Sequence, residues 1–425
     1  MISKSKNHNP NYLAKIVYLK EFKEHPNANK LKIATVDYMD VITGIDNPEG
    51  IYVYFPVDSR INSKVLHELS LYNKEELNKE NKKGFFSKNR KVTAVKLRGT
   101  KSFGFILPAE ELAEIFDVMP RWAEFELDTA NGVYFDTING QLLVDKYEVP
   151  ERQEGSTKSF KKTDKIKKIL IDKQFKFHFE TEHLNKNLGV LKINVPIYIT
   201  RKRHGSSLIL ANVKVNKKLK WYEKGLIKLG INIEKEEYGY IWSSGKPKSK
   251  LPKGICSSTQ KWNNSKSGNI WSRAYTELNG KLEKGITLYG EITGIGIQGD
   301  AYTYNSDYAI HIYRITSTNV DGITREFSWD EVKEYCTKYS IEHSEEYETV
   351  VLDNVEGFME KISTTYLDKS YPDCKVDEGV CVRQDKKIFK LKSPNFILKE
   401  SGKKEKPEPA TLGFVEAYHP NVEKK

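Results

Sequence analysis

The chain is predicted to be an α+β protein in two parts, a small N-terminal β-barrel and a larger domain in which strands mix with helices. Three observations carry this reading. Short, turn-punctuated β-segments fill residues 11–110, and strand-like segments return with helical ones from about 168 to 400. Between them ERQEGSTKSFKKTDKIKK is charged and has no apolar period, so it reads as a linker. At 425 residues there is room for two or three domains and a sizeable core.

Taken in order, YLAKIVYL, KLKIATV, DVITGI, GIYVYFPV, RKVTAVKL and SFGFILP have the lengths and alternation of barrel strands. LYNKEELNKENKKGFF is a polar, helix-prone insert, and AEELAEIF precedes a β-like stretch ending in QLLVDKYEVP. This divides the chain into 1–150, a linker at 151–167, a second domain at 168–400 and a mobile tail at 401–425. In the second domain SWDEVKEYCTKYS opens with Ser328 and has Glu331 three residues on, a capping box starting an amphipathic helix.

Composition bounds the partners. Lys and Arg number 69 against 58 Asp and Glu, a net charge of +11 that favours a polyanion. No run of about 18 apolar residues occurs, and MISKSKNHNPNYLAK lacks the apolar core of a signal peptide. Cys256, Cys336, Cys374 and Cys381 have neither C-x-x-C spacing nor a histidine pair, which argues against a zinc or disulfide framework and fits a reducing cytoplasm.

The chemistry concentrates in the second domain. YITRKRHGSSLIL crowds Arg201, Lys202, Arg203 and His204 into a strand-like segment, followed by Gly205. Glu291 then follows an apolar strand start in ITLYGEITG, and Glu378 precedes a Val-Cys-Val strand in DEGVCVR. In FKLKSPNF, Lys390 and Lys392 alternate with Phe389 and Leu391, so both amines leave one strand face. Lysine is nucleophilic only when neutral, and neighbouring cations or desolvation depress its pKa; Arg203, His204 and the Lys390/Lys392 pair are the expected source of that field. Gly205 allows close backbone approach to a phosphate, and two carboxylates can hold a divalent metal or a ribose hydroxyl. Such a set can attack the α-phosphate of a nucleotide.

With these residues in order, the sequence resembles the covalent nucleotidyltransferases, the polynucleotide ligases and messenger-RNA capping enzymes. K-x-H-G with a following small hydroxyl residue, and GEITGIGIQ, are similar to the ATP-dependent RNA ligases of the double-strand-sealing type. AIHIYRIT stands where that family has the aromatic that stacks on adenine. The resemblance implies a nucleotidyltransferase (ATP-grasp-like ligase adenylation) domain of antiparallel sheets with flanking helices. It implies that Lys202 carries AMP covalently, that Glu291 contacts ribose, that Glu378 helps bind Mg2+ or Mn2+, and that Lys390 and Lys392 contact phosphate. His204, Gly205 and Tyr313 join the ATP-binding set. Lys246, in YIWSSGKPK, stands in for the family's arginine, and Gln298 has a matching place without an assigned role. Two positions depart from the pattern: Arg201 replaces an acid before the nucleophile, and Arg314 replaces an Asp after the stacking aromatic.

HPNANKLKIATV, VITGI and KVTAVKLRGTKSFGFILP resemble the OB-fold tRNA-binding module of some aminoacyl-tRNA synthetases. A clade of RNA ligases carries such a module at this end. The stretch after Lys392 is too short for the C-terminal OB domain of DNA ligases and capping enzymes, which argues against both. Lys30, Lys32, Arg90, Lys96 and Arg98 are the candidate nucleic-acid contacts of the module; a solvated basic face is the alternative. Lys161, Lys162, Lys165, Lys167 and Lys168 are read as a linker face. Glu356-Gly357, in VEGFMEKIS, is a second EG, but its continuation is helix-like and no K-x-K follows closely, so Glu378 is preferred. The expected activity is sealing of RNA, or of a nicked RNA-containing duplex, by a monomer without membrane attachment. The rival is an RNA-binding protein that kept the scaffold and lost the chemistry.

Overall fold

The computed structural model describes residues 1–118, 132–148, 170–177, 180–243, 256–257, 270–298 and 304–402. Lys246, the linker lysines and residues 403–425 lie outside these. The chain divides into two compact units: Met1–Glu151 with Asn185–Leu188 and Lys392–Lys425, and Arg152–Leu184 with Gly189–Leu391. Among the described residues no helix is long and apolar enough to cross a membrane.

In the first unit the predicted strands form several short ladders. An antiparallel four-stranded sheet runs Phe105–Pro108, Gly50–Phe55, Ala14–Leu19, Val133–Phe135, and a three-stranded one runs Lys23–Glu24, Leu31–Val36, Met39–Gly44. The hairpin between the last two turns on Asp37 and Tyr38, with φ of 51° and 61°, the left-handed pair of a tight two-residue turn. Ile16, Val53, Phe55, Phe105, Leu107 and Phe135 alternate inward and make one core. Among the described residues the ladders do not close into a single barrel. Where Met39–Gly44 comes against Thr100–Phe103, Ile42 N–H donates at 3.0 Å to the Ser102 hydroxyl rather than to a strand carbonyl.

The helix-prone insert at 71–86 keeps only a 3-10 turn, Glu75–Leu77. Leu71, Tyr72 and Phe86 join the core instead. The Asn78 side chain takes over the backbone pairing, accepting Tyr72 N–H at 2.9 Å and donating to the Tyr72 carbonyl at 2.6 Å. The terminal helix Pro394–Gly402 belongs to this unit, where Ala94 N–H donates to Ser401 Oγ at 3.0 Å.

The second unit is built on two sheets. A five-stranded sheet is ordered Glu182–His183, Lys387–Lys392, Gly379–Gln384, Pro196–Lys202, Glu346–Val351. A six-stranded sheet is ordered Cys256–Ser257, Glu236–Ser243, Ser206–Asn216, Ile286–Thr293, Ala309–Thr318, Thr324–Glu326. Leu208, Leu210, Leu288, Ile292, Ile312 and Ile315 bury one face of the larger sheet against the helices Ile270–Leu278 and Trp329–Lys338. The second of these helices starts as its sequence predicts, with Ser328 and Glu331 exchanging side-chain-to-backbone bonds. Residues 203–205 carry the chain from the end of Pro196–Lys202 in one sheet to Ser206–Asn216 in the other. Whatever side chain ends the first strand therefore stands where the sheets meet.

Candidate active site

That side chain is Lys202. Its strand pairs antiparallel with Gly379–Gln384 and sets Lys202 directly across from Gly379, beside Glu378. The result is a 2.8 Å ion pair between Lys202 Nζ and Glu378 Oε2, with Glu378 buried. Glu291 arrives from the other sheet: Ser207↔Glu291 is in register, and Glu291 Oε1 accepts Gly205 N–H at 2.9 Å. His204 Nδ1 lies 3.7 Å from the same Glu378 oxygen, and His204 N–H donates to the Tyr304 hydroxyl at 3.0 Å. Gln298 Nε2 donates to the Gly205 carbonyl at 2.7 Å, so its role here is to hold the 203–205 connection.

The charge balance is the reverse of the one expected from the cation-rich segment. Burial pulls the Lys202 pKa down, but the negative field of Glu378, Cys381 and Glu291 outweighs it and the net direction is up. Burial pushes Glu291 up to about 7, against the opposing pull of Lys202. Strand alternation explains the missing cations. Arg201 and Arg203 leave the backbone on the face opposite Lys202. Arg201 is buried and bonds Asp373 at 2.8 and 2.9 Å and Asp377 at 2.9 Å, with its guanidinium 4.0 Å from the Tyr371 ring centroid. Arg203 pairs with Asp373 at 2.6 Å. These arginines organise the segment that leads into Glu378 rather than the field at the lysine. The signal was present in the i, i+2 spacing of the arginines and in the two aspartates of YPDCKVDEG.

Gly205 has a reason within the fold itself. A Cβ there would stand 2.2 Å from the Ile292 carbonyl oxygen, so glycine is required by the approach of the connection to the neighbouring strand. Tyr313 is the extra residue where the register slips between Ile286–Thr293 and Ala309–Thr318. Its carbonyl accepts Arg383 Nη1 at 2.7 Å. Burial, then the charge of Glu291, raises its phenol pKa, which places the ring in the same electrostatic neighbourhood as Lys202. Arg314 is buried and spends its charge on Glu326 of the adjoining strand at 2.8 Å, a structural pairing.

Lys390 and Lys392 leave their strand opposite buried Phe389 and Leu391. Lys390 belongs to the second unit; Lys392 belongs to the first, with its amine 5.4 Å from the Phe396 ring centroid. Glu356 is exposed, just before left-handed Gly357 at the start of the helix Phe358–Tyr366, and plays no part in the cluster around Lys202. Lys246 lies outside the described residues.

Of the proposed nucleic-acid contacts, Lys32 is tied down within its own hairpin. Its amine sits 3.9 Å from the Phe22 ring centroid and donates to the Asn47 carbonyl, and burial lowers its pKa. Arg90 Nη1 donates to the Ile61 carbonyl at 3.2 Å. Lys96 is exposed and faces Lys101 directly across its hairpin, a like-charge pair that an anion would relieve. Lys30 and Arg98 are half-buried.

A buried carboxylate, Glu378, and a half-buried one, Glu291, flank a lysine, beside a histidine and a tyrosine. Mg2+ is held by one or two carboxylates together with substrate phosphates, so Glu378 and Glu291 fit a divalent cation that arrives with a nucleotide. Among the described residues no group of three or more His, Cys, Asp or Glu could hold a metal alone.

No protein-family model and no curated protein matches the sequence. Solved structures do. A lysine-to-alanine variant of the Naegleria gruberi RNA ligase with ATP and Mn superposes over 91% of this chain and 98% of its own, with a TM-score of 0.55 and 16% identity. A glutamate-to-alanine variant with AMP and Mn gives 0.56 over the same shares at 16% identity. The same ligase with pyrophosphate covers 93% of this chain and 99% of its own, at 0.53 and 16% identity. Over nine-tenths of its length the chain therefore has the fold of an RNA ligase.

Proposed function

We propose that the protein is an ATP-dependent RNA ligase in which Lys202 is the nucleotidyl carrier. The observation that carries this reading is the Lys202–Glu378 pair at 2.8 Å, with Glu291 and Tyr313 completing its surroundings from the second sheet. The neutral Lys202 amine attacks the α-phosphorus of ATP. The bond to pyrophosphate breaks, and a lysyl-AMP phosphoramidate forms as the amine loses its proton. AMP then passes to a 5′-phosphate of the RNA, and a 3′-hydroxyl displaces it to seal the strand. Lys202 rests as an ammonium held by Glu378, so it becomes a nucleophile only when that pairing is relieved. Mg2+ or Mn2+ at Glu378 would supply positive charge that competes with the ammonium and neutralises phosphate. Glu291 contacts ribose; Tyr313 stacks on adenine; Lys390, Lys392 and Lys246 meet phosphates; and His204 and Gly205 shape the turn.

The wider reading assigns residues 1–150 to an OB-type nucleic-acid module, with Lys30, Lys96 and Arg98 on its groove and Lys32 and Arg90 as supports. Residues 151–167 join it to a nucleotidyltransferase domain at 168–400, with a tail at 401–425. A monomer acting in cytoplasmic repair of RNA, or of nicked RNA-containing duplexes, fits this set.

The test is incubation with α-labelled ATP and a divalent metal. A labelled protein band is expected, and Lys202→Ala removes it. A band with GTP in place of ATP would favour capping chemistry; no band with either nucleotide would leave a binding protein on a ligase scaffold. Sealing of nicked duplexes of mixed RNA and DNA then identifies the substrate.

A further inference from the structure

A second feature of the catalytic unit lies apart from the Lys202 cluster. Strands Ser206–Asn216 and Glu236–Ser243 pair from Ile209↔Ser243 to Asn216↔Glu236, and Lys217 N–H donates to the Lys235 carbonyl at 2.8 Å. Beyond that bond the connection forms a tip containing the two-turn helix Trp221–Lys228. The helix ends at Gly230, whose φ is +82°, with Ile231 N–H turned back onto the Leu226 carbonyl.

The tip exposes what a soluble fold ordinarily covers. Trp221 is 86% exposed and Tyr222 44%, although burying an aromatic ring is stabilising. The same tip is basic. Residues 217–231, KKLKWYEKGLIKLGI, hold five lysines and one acid. That acid, Glu223, is already engaged: it accepts Lys220 N–H at 2.6 Å and pairs with Lys217 at 2.7 Å. Lys218, Lys220, Lys224 and Lys228 are exposed. Helical spacing puts Trp221, Lys224 and Lys228 on one face, while half-buried Leu226 and Ile227 face the other way.

Leu229 (79%) and Ile231 (49%) are also exposed, but with Lys224 and Lys228 on the helix face of Trp221 the tip does not suit a lipid surface, which needs segregated apolar and polar faces. Nor does it suit the centre of a protein interface, which is depleted of lysine. It suits a ligand that alternates flat rings with negative charges. We propose that this tip docks an unpaired stretch of RNA, Trp221 and Tyr222 stacking on bases while Lys218, Lys220, Lys224 and Lys228 meet phosphates. The choice of RNA over DNA rests on the ligase reading above; the surface itself does not.

The experiment is anisotropy titration of the full chain with a fluorescein-labelled single-stranded RNA of about 12 nucleotides, in the size range such grooves cover. Trp221→Ala is expected to weaken binding by roughly 5- to 150-fold, from the 1–3 kcal/mol that a stacked base contributes, and Trp221→Phe to restore most of it. The double variant Lys224→Ala/Lys228→Ala is expected to flatten the log–log salt dependence by about 1.4. Unaltered RNA affinity in Trp221→Ala, with thermal unfolding equal to the parent, overturns the proposal. So does a concentration-dependent dimer in sedimentation that Trp221→Ala abolishes, because the tip would then be a self-association surface. Self-labelling of the unsubstituted chain with ATP is scored separately. If it fails while Trp221→Ala still weakens RNA binding, the catalytic reading falls and the docking surface stands; if it succeeds while Trp221→Ala binds normally, the reverse holds.

Discussion

Replacing Glu291 with glutamine separates a charge from a hydrogen bond. Its Oε1 accepts Gly205 N–H at 2.9 Å, and a glutamine oxygen can accept the same bond. What disappears is a carboxylate that burial pushes from 4.5 up to about 7, with Glu378 adding to the rise and Lys202 opposing it. The sign follows from linkage. A folded-state pKa above the ordinary value means the ionised form is less at home in the folded chain. The cost is therefore absent below about pH 4.5, grows as pH rises, and is complete above about pH 7. The gap is worth about 3 kcal/mol, which solvent reaching the partly exposed side chain reduces to about 1–2 kcal/mol. Glu291→Gln is thus expected to match the parent near pH 5 and exceed its stability by about 1–2 kcal/mol at pH 8, read as urea-unfolding midpoints at equal m-value. Self-labelling with ATP should fall even as stability rises, the usual opposition at a site built for charge. A variant less stable at pH 8 than at pH 5, relative to the parent, would refute the reasoning, because the carboxylate would then be stabilising the fold.

Three further perturbations test the surrounding structure. Gly205→Ala forces a methyl to within 2.2 Å of the Ile292 carbonyl, so thermal unfolding should show a loss of about 2 kcal/mol or more, with self-labelling falling in parallel. Arg201→Met strands Asp377, whose carboxyl is buried and already pushed up to about 6; the expected loss is about 3 kcal/mol at pH 8 and clearly less at pH 5, where the acid is protonated. In the first unit, Lys15 and Asp37 form a buried 2.7 Å pair, and the Tyr134 hydroxyl donates to the same Asp37 at 2.7 Å. The charge of Asp37 also supports half-buried Lys186, whose pKa falls to about 8 because its amine is shielded from water. Asp37→Asn should therefore cost more than Lys15→Met, about 3–5 kcal/mol in chemical denaturation, because it deprives two ammonium groups of their counter-charge while Asn keeps the left-handed turn.

Some of this was readable from local pattern. Ser328 and Glu331 cap a helix because both partners lie within one turn. Phe389 and Leu391 are buried while Lys390 and Lys392 are not, because a strand turns alternate residues to opposite faces. Glu378 precedes a strand and Glu356 a helix, as their following residues suggest. The insert at 71–86 misled, because its apolar ends, Leu71 and Phe86, gain more from the core than its polar centre gains from helix.

Residue order and alternation along single strands, then, were legible in the amino-acid string, and with them the two acids, Glu378 and Glu291, that the fold brings to Lys202. The string could not show which charges meet. Arg201 finds Asp373 and Asp377 far along the chain, and Lys202 finds Glu378 only because two strands pair in one register. A lysine read among cations became a lysine held by carboxylates, because Coulomb energy depends on distance through space and sequence neighbours in a strand point to opposite sides.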